Sequence, residues 1–152
     1  HVRSRRQRQM CIRDRMEPQK LLNRMLDHDK FSEWLGLEVI EVREGYAKLQ
    51  AAIRPEMMNG VGSVHGGVTF AMADSAFAFS CNMYNNISVA LDVHISFTKA
   101  GREGDVFTIE SQEVSTTKKT GIYDIKVTNQ NNELIALFKG TCFRTGKPLI
   151  EE

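Results

Sequence analysis

An apolar stretch in the middle of the chain, residues 66–84, constrains the fold more than any other feature. It contains no proline, is rich in alanine, phenylalanine and methionine, and has Asp74 as its only charged residue. A segment that is apolar on all sides is typical of a buried helix. We therefore expect a helix over 66–84 that the rest of the fold covers.

Strand-like patterns lie on both sides of this helix. Apolar and polar residues alternate along 46–53, which predicts a half-buried strand in a hairpin with residues 37–42. Four further strands are predicted, over 88–98, 105–115, 122–128 and 134–144. Three separators are interpreted as hairpin loops, at 101–104, 117–121 and 129–132. The prediction is an α+β fold in which a curved antiparallel sheet wraps a long central helix.

Composition limits the class of protein. The chain has 152 residues, of which 41% are hydrophobic and 26% charged, as in one ordinary globular domain. It contains no apolar run of transmembrane length and does not begin with an apolar segment of signal-peptide type. Three widely spaced cysteines are typical of reduced thiols, so we expect a cytoplasmic protein without a membrane partner. The histidines are far apart, and we expect no metal and no cofactor.

The first fifteen residues are strongly basic, with six arginines against one aspartate. A basic arm is typical of nucleic-acid binding, but the string at 10–15 resembles translated sequencing-adapter sequence. We expect residues 1–15 to be a non-native or disordered tail, residues 16–152 to form a single domain, and nucleic acid not to be a partner.

Asp74 is the first candidate for chemistry, because burying a carboxylate is costly unless it is paired or used. One interpretation is a structural acid bonded to a nearby N–H group or hydroxyl. The other is a general base or nucleophile whose pKa is set by burial. The residues alone leave both open.

The start of the predicted helix is the second candidate. The first N–H groups of a helix lack partners and lie at its positive end. Glycines there allow a carbonyl to approach closely, so the N–H of Gly66 or Gly67 can stabilise an oxyanion. We expect His65 to orient this loop.

Spacing along the helix predicts an oligomer. Gly66 and Asp74 are eight residues apart, which is ~12 Å at 1.5 Å per residue. A base and an oxyanion donor that serve one carbonyl must both lie within about 3 Å of the reacting atoms. If both residues act, the site lies between two subunits of an obligate oligomer.

Two runs of sequence resemble the hotdog-fold acyl-CoA thioesterases. They are residues 59–78, which include His65-Gly66-Gly67 and Asp74, and residues 119–140. The similarity covers about residues 21–144 and is nearest to the branch named for the phenylacetic acid degradation protein PaaI. It implies a hotdog fold, assembly as a dimer or a dimer of dimers, and hydrolysis of acyl-CoA thioesters to free acid and CoA.

The resemblance also implies roles for individual residues. Asp74 falls on the catalytic acid, Gly66 on the oxyanion donor of the partner subunit, and Asn59 and His65 on polar residues of that site. Some relatives have a serine or threonine near the start of the next strand that assists the attacking water. Ala90 takes that place here, so we do not transfer this role.

Four residues are candidates for substrate binding. Gly67 adjoins the oxyanion donor, and Phe77 is a candidate for the acyl pocket. Lys118 and Lys119 are candidates for contacting the CoA phosphates, although exposed lysines in a turn are usually only solvated. The residues do not decide whether the acyl group of the substrate is an aryl-acetyl group, such as a phenylacetyl derivative, or a medium-chain group.

Several alternatives also remain. Asp74 can activate water or attack the thioester directly to give a mixed anhydride. The protein can instead be a non-catalytic acyl-CoA-binding hotdog protein, or a hotdog hydratase or dehydratase that uses His94. A nucleophilic role for Cys81 is disfavoured, because the sequence shows no activating base near it.

Overall fold

The computed structural model describes residues 16–151, and the predictions for residues 1–15 lie outside this range. There are three α-helices, α1 (Pro18–Leu26), α2 (Lys30–Leu35) and α3 (Gly66–Asn82), and a 3-10 turn at Pro55–Met57. There are six strands, β1 (Glu38–Arg43), β2 (Tyr46–Ala52), β3 (Ser88–Phe97), β4 (Val106–Thr116), β5 (Thr120–Thr128) and β6 (Leu134–Arg144). Each predicted element is present, with ends within a few residues of those expected.

The six strands form one antiparallel sheet in the order β1-β2-β4-β5-β6-β3. The predicted hairpins between β1 and β2, β4 and β5, and β5 and β6 are confirmed. The prediction of a hairpin at 101–104 is wrong, because β3 pairs with β6 and β4 pairs with β2. The segment between β3 and β4 therefore crosses the sheet, and β3 becomes an edge strand.

Helix α3 lies against one face of this sheet and contacts all six strands. Its buried side includes Phe77, whose ring packs edge-on against Tyr123 and at a tilt against Phe138. Gly140 on β6 allows this packing, since a Cβ there would lie 2.8 Å from the Phe77 ring. The α+β prediction of a long helix covered by the sheet is confirmed.

The short helices near the start of the chain cover part of the other side of α3. Asp29 caps the start of helix α2, where its side chain accepts a hydrogen bond from the Ser32 N–H, and Gly36 caps the end in the left-handed region. The Ser32 hydroxyl is 2.9 Å from the Ser75 hydroxyl of α3. This contact fixes α2 beside the residue that follows Asp74. None of the helices within residues 16–151 is long and apolar enough to cross a membrane.

Candidate active site

His65 caps the N-terminus of α3. Its backbone is extended, and its Nδ1 accepts a hydrogen bond of 2.9 Å from the Gly67 N–H. Its own N–H donates to the Met57 carbonyl, also at 2.9 Å. A Cβ on Gly67 would lie 3.0 Å from the imidazole Nδ1, so the cap favours glycine there. His65 thus holds the loop against the helix, in the geometry expected of a residue that orients it.

The cap separates the roles of the two glycines. Because His65 occupies the Gly67 N–H, that group is not free to bind an oxyanion. The Gly66 N–H has no hydrogen-bond partner within residues 16–151, as expected of the first N–H of a helix. Of the two donors that the sequence left open, only the Gly66 N–H is available to a ligand.

Asn59 organises the loop that leads into the cap. Its Oδ1 accepts from the N–H groups of Val61 and Ser63, each at 3.0 Å, and its Nδ2 donates to the Ser63 hydroxyl. The two ends of the loop are joined by a bridge between Met58 and Val64. Asn59 therefore acts on the position of the helix start through the loop, and its side chain is already hydrogen-bonded there.

Asp74 lies half-buried near the middle of α3. Burial raises the pKa of its carboxyl above the ordinary value, because desolvation penalises the charged form. Throughout the described part of the chain no hydrogen bond or ion pair reaches this carboxylate. The interpretation as a structural acid requires such a partner, so the arrangement favours a carboxylate that is free to react.

Gly66 and Asp74 belong to one uninterrupted helix, so the separation of ~12 Å along its axis holds. One chain does not bring the free N–H and the free carboxylate to a common atom. The helix thus agrees with the spacing from which a site between two subunits was predicted, and that site stays a prediction.

Of the four predicted substrate-binding residues, Gly67 lies at the start of α3, whereas Phe77, Lys118 and Lys119 lie away from it. Phe77 is 1% exposed and belongs to the core, so this chain offers no ligand access to it. Lys118 and Lys119 are exposed in the turn between β4 and β5. Strand β4 runs from this turn to the opposite end of the sheet, where α3 begins. At that opposite end the Val64 N–H, just before α3, donates a hydrogen bond to the carbonyl of Gly101, just before β4.

The structure also shows the surroundings of the residues on which the alternative functions depend. His94 is exposed on the face of the sheet opposite α3, next to Lys139, so it does not meet Asp74 of its own chain. Cys81 is buried, and both its contact with the Cys142 thiol and its burial raise its pKa, which disfavours a nucleophilic thiolate. Ala90 brings no hydroxyl, and the nearby Ser88 hydroxyl donates to the Asn86 carbonyl.

Sequence reasoning did not identify two residues that adjoin Gly66. Thr69 and Phe97 line a cleft of about 360 Å³ at the start of α3 together with Gly66. A Cβ on Gly66 would lie 3.2 Å from the Phe97 ring. The helical spacing of Gly66 and Thr69 was a signal for the threonine, whereas the position of Phe97 depends on the path of β3.

Comparison with known proteins identifies the family. The thioesterase superfamily model matches residues 61–136, which is half of the chain. The chain belongs to the thioesterase superfamily, and it is a thioesterase with the hotdog fold.

The relatives define the branch. The chain is 37% identical over 128 residues to the acyl-coenzyme A thioesterase PaaI of Escherichia coli, covering 84% of this chain and 91% of that protein. The structure of the E. coli PaaI protein matches with a TM-score of 0.84, 35% identity and coverage of 86% and 95% of the two chains. A hypothetical thioesterase protein of Streptococcus pneumoniae solved with coenzyme A matches with a TM-score of 0.71, 27% identity and coverage of 74% and 90%. These matches confirm the resemblance to the PaaI branch.

Proposed function

We propose that this thioesterase hydrolyses acyl-CoA thioesters to a free acid and CoA, in a site that two subunits share. One observation carries the proposal. Helix α3 holds a half-buried carboxylate, Asp74, and an N–H, Gly66, neither of which has a hydrogen-bond partner within residues 16–151, and the two are too far apart to serve one carbonyl from one chain. The name of the E. coli relative and the coenzyme A in the S. pneumoniae structure support CoA thioesters as the substrate class.

The proposed chemistry assigns one role to each group. The Gly66 N–H of one subunit donates to the thioester oxygen and stabilises the charge that develops there. Asp74 of the other subunit removes a proton from the attacking water, or attacks the carbonyl itself to give a mixed anhydride that water then cleaves. The raised pKa of Asp74 makes its carboxylate a better base at neutral pH than an exposed aspartate. The sulfur leaves with a proton as the CoA thiol.

The edge strand β3 supports self-association as a dimer or a dimer of dimers. Ten residues long, it pairs only with β6, and its outer backbone groups lack a neighbouring strand in the described chain. Val89 is 50% exposed and Leu91 63% exposed. A long edge strand with exposed apolar side chains is typical of a surface that pairs with another chain. We propose that β3 contacts a second copy.

The acyl group and the phosphate contacts belong to the same proposal. Aryl-acetyl groups such as phenylacetyl are favoured by the PaaI relative, and medium-chain groups remain the alternative. If Lys118 and Lys119 bind the CoA phosphates, they do so in the two-subunit site, because they lie far from Gly66 of their own chain. The cytoplasmic location remains a prediction from cysteine usage.

The test is thiol release from a panel of acyl-CoA substrates by the wild type and Asp74→Asn, with oligomeric mass measured for both. We expect the wild type to hydrolyse aryl-acetyl or medium-chain thioesters, and Asp74→Asn to keep its mass and lose the activity. A folded wild-type oligomer that binds acyl-CoA without hydrolysing any thioester would favour the non-catalytic binding protein instead.

A further inference from the structure

Two buried cysteine thiols meet where the end of α3 packs on β6. Cys81 is 1% exposed in the last turn of the helix, and Cys142 is 0% exposed on the buried face of the strand. The two thiols contact each other through a hydrogen bond, and neither is in a disulfide. The chemistry proposed for Asp74 and Gly66 uses neither of them. A pair of adjacent thiols differs from the single nucleophile considered above, because it can be oxidised to a disulfide.

Hydrogen bonds to β3 hold the end of α3 in this position. The Asn82 side chain accepts from the Ser88 N–H at 2.9 Å and donates to the Ser88 carbonyl at 3.2 Å. Ser88 begins β3 and is the partner of Arg144 in the pairing with β6. Cys81 directly precedes Asn82, and Cys142 lies two residues before Arg144. The contact between the two thiols is therefore fixed by the way the helix end is attached to the sheet.

Arg144 lies beside the pair as a buried cation. The residue is 7% exposed, and its Nη2 forms no hydrogen bond within residues 16–151, although a Glu113 carboxylate oxygen lies 3.5 Å away. Gly121, the partner of Cys142 on β5, makes room for the guanidinium, since a Cβ there would lie 3.0 Å from Arg144 Nη1. A positive charge near a cysteine favours its thiolate. Arg144 therefore favours the ionised form of the Cys142 thiol.

The surroundings make the two thiols unequal. The hydrogen bond with Cys81 lowers the pKa of the Cys142 thiol most, and the charge of Arg144 lowers it further, against the opposing effect of burial. The same hydrogen bond and burial raise the pKa of Cys81. Because the thiolate is the form that attacks an oxidant, Cys142 reacts first and Cys81 keeps its proton until the second step.

We propose that Cys142 and Cys81 form a modification site, at which hydrogen peroxide oxidises the pair to a disulfide. The Cys142 thiolate attacks one peroxide oxygen and the O–O bond breaks, which gives a sulfenic acid and a hydroxide that takes up a proton as water. The Cys81 sulfur then attacks the Cys142 sulfur, the S–O bond breaks, and the hydroxide leaves with the Cys81 proton as a second water. The two thiols lose two electrons, and the peroxide gains them.

Burial determines which oxidant can act. Neither thiol has an exposed surface that a folded protein or a glutathione molecule could reach. Hydrogen peroxide is close to water in size, so a small local opening near the end of β6 is enough to admit it. The reagent is thus a small peroxide rather than another disulfide.

The disulfide joins two elements that are distant in the sequence. Cys81 and Cys142 are 61 positions apart, and closing so long a loop restricts the unfolded chain. The folded chain already holds the two thiols in contact. We therefore expect the oxidised chain to be more stable than the reduced one.

The test uses the full chain with Cys11→Ser, which leaves Cys81 and Cys142 as its thiols. This parent chain is treated with hydrogen peroxide, the excess is removed with catalase, and the chain is unfolded in N-ethylmaleimide for measurement of its intact mass. The reduced pair then carries two maleimides, and the disulfide carries none. The matched controls are Cys81→Ser and Cys142→Ser in the same background, with dimedone added to trap a sulfenic acid.

We expect peroxide to convert the parent chain to a form without maleimide that dithiothreitol reverses and that melts about 5–15 °C higher than the reduced chain. Cys81→Ser should take up dimedone at Cys142, and Cys142→Ser should keep its remaining thiol. The parent chain alone decides whether the bond forms, even if a single variant fails to fold.

Three results would overturn the proposal. The first is a parent chain that keeps both maleimides, is oxidised only to sulfinic acids, or is linked to a second chain. The second is loss of the thiol in Cys142→Ser as fast as in Cys81→Ser, because the two thiols would then be equally reactive. The third is an oxidised chain that melts at a lower temperature than the reduced one, because the pair would then not be arranged for the bond in the fold.

Discussion

The Gly66 N–H is the group whose role is easiest to isolate, because it can be deleted with little change to the helix. Proline is favoured at the first position of a helix, where its missing N–H has no helical partner in any case. The preceding residue must be extended, and His65 has φ −60° and ψ 129°. Gly66→Pro therefore removes the proposed oxyanion donor while α3 keeps its start.

The matched variant is Gly66→Ala, which keeps the N–H and adds the same Cβ. That Cβ would lie 3.2 Å from the end of the Phe97 ring, which is 55% exposed and can move by a few tenths of an ångström. Crowding thus affects both variants, and the difference between them reports the N–H. Loss of one oxyanion-hole donor costs about 10²–10³ in kcat.

The assay is steady-state thiol release from the best acyl-CoA of the panel, with circular dichroism and oligomeric mass as checks of folding. We expect Gly66→Ala to retain activity within about tenfold of the wild type, and Gly66→Pro to be lower than Gly66→Ala by about 10²–10³ in kcat. A folded Gly66→Pro protein with the activity of Gly66→Ala would refute the assignment of this N–H.

Three further predictions test the interior and the surface. Burial raises the pKa of Asp74, so the folded chain loses stability as the pH rises through that pKa. The Asp74→Asn variant should therefore melt at a higher temperature than the wild type at pH 7. Below about pH 4, where Asp74 is protonated in both the folded and the unfolded chain, the two should melt at the same temperature. Gly140→Ala places a Cβ 2.8 Å from a buried aromatic ring and should cost about 1–3 kcal/mol in urea unfolding, whereas Gly60→Ala, with no atom within 4 Å of its Cβ, should be nearly neutral. Lys118→Glu with Lys119→Glu should raise KM for acyl-CoA and leave KM for the N-acetylcysteamine thioester unchanged; equal effects on both would exclude a phosphate contact.

The sequence predicted the fold well because its main signals are local. The uniformly apolar stretch around Asp74 predicted α3, and alternation and turn residues predicted the strands. The prediction of which strands pair was wrong at 101–104, because a turn-like segment does not show whether the two strands that it connects pair with each other. That pairing depends on the crossover that makes β3 an edge.

The candidate site was predictable where residue type determines chemistry. The sequence itself shows a lone carboxylate in an apolar helix that begins with His-Gly-Gly. In the described part of the chain, neither the Asp74 carboxylate nor the Gly66 N–H has a hydrogen-bond partner. Which glycine is available depends on the His65 cap, a contact that the sequence does not specify. Thr69 is an ordinary residue in a helical pattern, and only its place in the cleft beside Gly66 distinguishes it.

Mixing of inactive subunits tests most directly whether Asp74 and Gly66 act together across an interface. Asp74→Asn and Gly66→Pro chains are each made alone and then co-refolded in equal amounts, with the double variant co-refolded with Asp74→Asn as the control. If the two chains pair at random in a two-fold dimer, half of all dimers contain one chain of each variant. Each of these hybrids has one intact site out of two, so about one quarter of the wild-type activity should return. The control mixture should stay inactive. A mixture of the two single variants that forms hybrids but regains no activity would contradict a site built from two subunits.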